Sequence, residues 1–115
     1  MTGFEKREKG FEAKYRLDQE TQFKISARRN KLLGLWAADR MGLSGASAEQ
    51  YAKEVVAADF EMPGDEDVLK KVLKDLRAKG LDITDTEVRK QMDKLVETAR
   101  EQVLEEVGPR AGAED

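Results

Sequence analysis

The chain has 115 residues, room for one domain with a modest core. Hydrophobic residues make up 39% and charged residues another 39%, a charged share well above the usual quarter. That balance suits helices with one buried stripe and a solvated outer face. The absence of cysteine and histidine excludes disulfides and thiolate chemistry, and removes the commonest general base, metal ligand and pH switch.

Charge is unevenly spread. Residues 1–42 carry ten Lys/Arg against six Asp/Glu, a balance of +4, whereas residues 43–115 carry eleven against eighteen, a balance of −7. With a pI near 5.2, no nucleic-acid partner is expected. The longest apolar stretch, Leu32 to Ala38, is far short of a bilayer span, and the N-terminus lacks the apolar core of a signal peptide. The sequence therefore reads as a soluble, cytoplasmic protein with no direct membrane insertion.

Residues 1 to about 20 form an unusual leader. Its large apolar residues are only Phe4, Phe11, Tyr15 and Leu17, scattered among charges. The pairs Glu5–Lys9, Glu12–Arg16 and Glu20–Lys24 each support a helix by about 0.2–0.5 kcal/mol. Together they offset little more than the roughly 1 kcal/mol cost of Gly10. Such a helix is marginal in water unless something packs on it. Phe4, Phe11 and Tyr15 nevertheless lie at i, i+7 and i+11, along one narrow stripe. The stripe suits either an anchor set that enters a partner's groove or an extension of the following helix packed on the bundle.

Four helices follow. The first carries Ile25, Leu32, Leu33, Leu35, Trp36, Ala37 and Met41 and ends at Gly42. Gly34 in its middle costs about 1 kcal/mol relative to alanine, and points to close approach of a neighbouring helix. The second is expected from Ser47, with Gln50 completing a capping box, to about Met62. Its inner face uses Tyr51, Ala52, Val55, Val56, Ala58 and Phe60. The third starts after Pro63-Gly64, with Asp65, Glu66 and Asp67 at the positive end of its dipole. Val68, Leu69, Val72, Leu73 and Leu76 form its stripe, and Gly80 and Leu81 fit a Schellman ending. The fourth opens with the capping box Thr84-Asp85-Thr86-Glu87 and the staple pair Ile83 and Val88. Val88, Met92, Leu95, Val96, Ala99, Val103 and Val107 recur at helical spacing until Gly108-Pro109. Short connections favour antiparallel neighbours. The expected fold is therefore all-α, an antiparallel four-helix bundle with a mobile leader. Residues 1–20 form the leader, 21–108 the bundle and 109–115 a frayed tail.

Catalytic chemistry finds no foothold. Asp65-Glu66-Asp67 fails as a calcium loop, because Lys70 stands where the sixth-position glycine is needed. Ser44 and Ser47 have no histidine to activate them and sit in no nucleophile elbow. Gly42-Leu43-Ser44-Gly45 lacks the Gly-Lys-Ser/Thr of a phosphate loop. Arg28-Arg29-Asn30-Lys31 reads as mostly solvated surface, with at least one arginine paired to the acidic later helices. The chain is not expected to be an enzyme, nor to hold a metal or cofactor.

The stretch Ala27-Arg28-Arg29-Asn30-Lys31-Leu32-Leu33-Gly34-Leu35-Trp36-Ala37-Ala38 resembles the most recognisable segment of the zeta subunit, the alphaproteobacterial ATP synthase inhibitor. Phe11-Glu12-Ala13-Lys14-Tyr15, Asp59-Phe60 and Pro63-Gly64-Asp65-Glu66-Asp67-Val68 add to the likeness. The resemblance implies a four-helix bundle preceded by an inhibitory segment that inserts at a catalytic interface of the F-type ATP synthase head and blocks hydrolytic rotation. By position, that segment is Phe4 through about Leu17, with Phe4, Arg7, Glu8, Phe11, Lys14 and Tyr15 as partner-binding residues. It favours the anchor reading of the stripe, in a protein that is monomeric when free and associates with the inner-membrane ATP synthase. A histidine often stands in the family where this chain has Leu17, so any pH sensing by that residue does not carry over. The alternative is a bundle that binds an adenine nucleotide weakly as a regulatory sensor.

Overall fold

The computed structural model describes residues 19–61 and 65–107. They form four helices: α1 (Gln19–Arg40), α2 (Gly45–Glu61), α3 (Asp65–Ala78) and α4 (Asp85–Val107). The expected leader and frayed tail lie outside the described residues.

Local chemistry sets most of the boundaries. At the end of α1, Gly42 takes a φ of +84°. Leu43 N–H then donates to Ala38 O at 2.8 Å and Gly42 N–H to Asp39 O at 3.1 Å. This is a Schellman ending, which satisfies carbonyls that the helix leaves open. Gly80 repeats it after α3, with Leu81 N–H on Leu76 O at 3.2 Å and Gly80 N–H on Arg77 O at 2.9 Å. Before α4 the capping box forms in both directions. Thr84 N–H donates to Glu87 Oε1 at 2.9 Å, and Glu87 N–H to Thr84 Oγ1 at 3.2 Å.

The start of α2 differs from expectation. The helix begins at Gly45 rather than Ser47, and Ala48 N–H already bonds Ser44 O at 3.4 Å. Gly45 takes a φ of +57°, a left-handed turn that favours glycine, and Ser44 O accepts the first bond of the helix, so Ser47 sits inside the first turn and does not cap it.

The bundle is antiparallel: α1 runs against α2 and α4, and α2 against α3. Gly34 meets Ala52 across α1 and α2, and the Tyr51 hydroxyl donates to Asp75 at 2.8 Å across α2 and α3. Arg89 of α4 binds Asp65 at 3.1 Å and Glu66 at 2.8 Å, at the head of α3. Arg28 of α1 reaches Gln102 near the end of α4, closing the up-down-up-down circuit.

The core has two parts. Twelve buried residues form the main one, among them Leu33, Val55, Val68, Val72, Leu76, Val88 and Met92. Ile25, Ala99 and Val103 form a smaller one, with Leu32, Val96 and Val107 packed against it. Fully burying an aliphatic side chain contributes about 1.5–3 kcal/mol, so the main core dominates stability. The reason for the division is length. α1 and α4 have 22 and 23 residues, whereas α2 and α3 have 17 and 14. The first turns of α1 and the last turns of α4 therefore extend past the others as a two-helix arm.

Candidate functional site

Phe4, Arg7, Glu8, Phe11, Lys14 and Tyr15, the residues expected to bind a partner, all lie outside the described residues. The structure describes the base from which that segment departs, which is the α1–α4 arm.

One flank of the arm is clamped by Arg28. Its Nη1 donates to Gln102 Oε1 at 2.9 Å, while Nη2 reaches Glu106 Oε1 at 2.8 Å and Oε2 at 2.6 Å. The side chain is about three-quarters covered, whereas that of Glu106 remains more than half exposed. Glu106 lies in the last turn of α4, where no basic residue balances the negative helix pole. Arg28 supplies the missing cation from another helix.

Arg29 faces the opposite flank. Burial lowers its guanidinium below the ordinary arginine value. The nearby charges of Asp65, Asp59 and Asp93 work against that shift, and Arg89 adds to it. The side chain is thus held where the start of α3, the end of α2 and the middle of α4 converge. Its Nε donates to Asn30 Oδ1 at 2.8 Å. Asn30 is fully buried, and its Nδ2 has no hydrogen-bond partner.

The basic run is therefore not mainly solvated surface. Lys31 alone is exposed, Arg28 and Arg29 are half-buried and Asn30 is inside. The expected pairing with the acidic later helices is present as Arg28 with Glu106. Gln102 and Asn30 went unrecognised in the sequence. For Asn30 a signal existed: Leu33, Gly34 and Ala37 stand three, four and seven residues on, and all are buried. At the far end of α1, the Arg40 guanidinium lies 4.9 Å above the Trp36 ring.

Among the described residues, no group of His, Cys, Asp and Glu could hold a metal ion. No helix among them is long and apolar enough to cross a membrane.

Comparison with known proteins supplies a family. The family model described as ATPase inhibitor subunit zeta matches residues 1–102, taking in the leader, α1 to α3 and most of α4. A protein solved by solution NMR is similar at 50% identity, over 74% of this chain and 96% of that one, with a TM-score of 0.65. No curated protein matches.

Proposed function

The chain belongs to the ATPase inhibitor subunit zeta family, and from that premise we propose that its leader docks at a catalytic interface of the ATP synthase head and blocks rotation in the hydrolytic direction. Membership makes the protein a regulator whose partner is ATP synthase; the mode of action is our reading.

The observation that carries it is the reach of the family match, which begins at residue 1. The leader is thus as much a family feature as the bundle. Its own pairings stabilise a helix too weakly to hold alone in water. Phe4, Phe11 and Tyr15 give it the spaced aromatic anchors of a helix that lies in a groove. Arg7, Glu8 and Lys14 supply polar contacts beside them. The +4 balance of residues 1–42 favours an acidic rim on the receiving surface.

Deleting residues 1–18 tests the reading, since the cut leaves all four described helices whole. The truncated protein should keep its helicity and lose inhibition of ATP hydrolysis. Full inhibition by the truncated bundle would place the active surface on the helices instead.

A further inference from the structure

We propose that the last turns of α4, from Val96 to Val107, form a strap that opens from α1 as a unit while the rest of the bundle stays closed, and that Arg28 is its latch. The proposal concerns the bundle alone and is independent of how the leader acts.

The strap is a weak helix in its own right. Glu97, Glu101 and Glu105 follow one another at four-residue spacing, and all three are exposed. Like charges at that spacing repel and oppose the helix. Glu105 and Glu106 then stand in the last turn, which has no basic residue, at the negative pole of the helix dipole. Against these stands one local pair, Arg100 with Glu97 at 3.1 Å. Val96, Thr98, Val103 and Val107 are β-branched and give up rotamer freedom in a helix. A segment with this pattern keeps its shape through contacts with another helix.

Those contacts form a separate set. α4 divides after Leu95. Val88 and Met92 are buried in the main core, with Leu95 packed against it. Val96, Ala99, Val103 and Val107 belong to the smaller cluster, whose other members, Ile25 and Leu32, come from α1. Among the described residues, α2 and α3 contribute nothing to it. Three buried residues hold the strap, against twelve in the main core, and losing them leaves those twelve in place. An opening that breaks few buried contacts is easier than global unfolding, and the residues that share those contacts open together.

A polar contact completes the hold. Arg28 donates to Gln102 at 2.9 Å and to Glu106 at 2.6 Å, so it spans the end of the strap from another helix. It is the one cation that the described residues bring to Glu106. The guanidinium is about three-quarters covered, which makes its bonds to the carboxylate stronger than those of an exposed pair. The other end of α4 needs no such latch, because Thr84 and Glu87 cap it locally. On opening, Ile25 and Leu32 lose their cover and Arg28 its partners.

Native-state amide exchange on the full-length protein tests the strap residue by residue. Amides from Arg100 to Glu106 should share one protection factor, at least about a hundredfold below those of Val72, Leu76 and Met92. A helix end that merely frays gives a gradient instead. Protection that declines steadily toward Val107, or that equals the protection of Met92, would overturn the strap. Arg28→Gln should lower protection of the strap amides about tenfold, as loss of a charged hydrogen bond does, and leave Val72 and Leu76 unchanged. An equal fall at every amide, or no change in the strap, would remove Arg28 as the latch. Glu105→Lys then separates charge from packing, since position 105 is exposed. It places a cation in the last turn and ends the repulsion from Glu101, so added to Arg28→Gln it should restore protection about fivefold. Failure to restore it would show that Arg28 holds α4 by packing, and the charge-based latch would be lost.

Discussion

Gly34 of α1 and Ala52 of α2 meet backbone to backbone: a Cβ placed on Gly34 would stand 2.7 Å from Ala52 Cα. It would also lie 3.2 Å from Ala52 Cβ and from Val55 Cγ2. A glycine that weakens its own helix is what lets two helices close on each other.

Gly34→Ala should therefore destabilise the fold although alanine is the better helix former. The gain of about 1 kcal/mol in propensity is set against about 1–3 kcal/mol for forcing α1 and α2 apart. A net loss of about 1–2 kcal/mol is expected, with a lower Tm in a thermal melt. A Tm equal to or above the parent's would show that the contact yields freely.

Tyr51 ties α2 to α3 and gives the fold an alkaline limit. Burial, and then the hydrogen bond to Asp75, raise its phenol well above the ordinary value of 10.0. Below pH 10 the group is neutral in both folded and unfolded chains, and its stabilising contribution is complete. Above pH 10 the unfolded chain releases the proton while the folded one holds it, so stability falls as pH climbs toward the folded value. Tyr51→Phe should cost about 1 kcal/mol at neutral pH, through loss of the hydrogen bond. It should also flatten the decline above pH 10, as read from urea midpoints between pH 8 and 11. Parallel curves for the two proteins would remove Tyr51 from the account.

Between pH 6 and 8 the opposite holds. The chain has no histidine, and no other side chain ordinarily titrates in that interval. Inhibitory potency should change little across it once the enzyme's own pH profile is subtracted. A steep dependence that persists after subtraction would require a strongly shifted group in this chain.

Phe11 should be the principal anchor of the leader, being central between Phe4 and Tyr15. Aromatic anchors near the middle of an interface carry a disproportionate share of its energy, and Phe11→Ala should cost about 2 kcal/mol or more, a loss of about thirtyfold in affinity. Thermal unfolding should be unaffected. A variant that both inhibits and melts differently would assign Phe11 to the core.

What the sequence made legible was what depends on neighbours within a turn or two. Thr84 and Glu87 are three residues apart, so their reciprocal cap could be read directly. Gly80 with Leu81, and the stripes of α3 and α4, are equally local. The early start of α2 was not legible, because it follows from the left-handed turn at Gly45 and not from which serine is the better cap. Arg28 and Glu106 stand 78 residues apart, and only their opposite signs hinted at a meeting. The burial of Asn30 was obscured for a related reason. α1 meets α4 on the side of Ile25 and Leu32 and α2 on the side of Gly34. Its buried residues therefore wrap around the helix and do not form one stripe. The expected partner-binding residues were read from spacing and resemblance alone.

α1 also has a mechanical character. It is one continuous helix whose first half grips α4 through Ile25 and Arg28, and whose second half grips α2 at Gly34. A force applied at Gln19 along the helix axis is carried in shear, with these contacts sharing the load side by side. A force across the axis would instead prise the arm open from its free end, one contact after another, beginning with the smaller cluster. The bundle thus resists a tug on its leader far better along the line of α1 than at an angle to it.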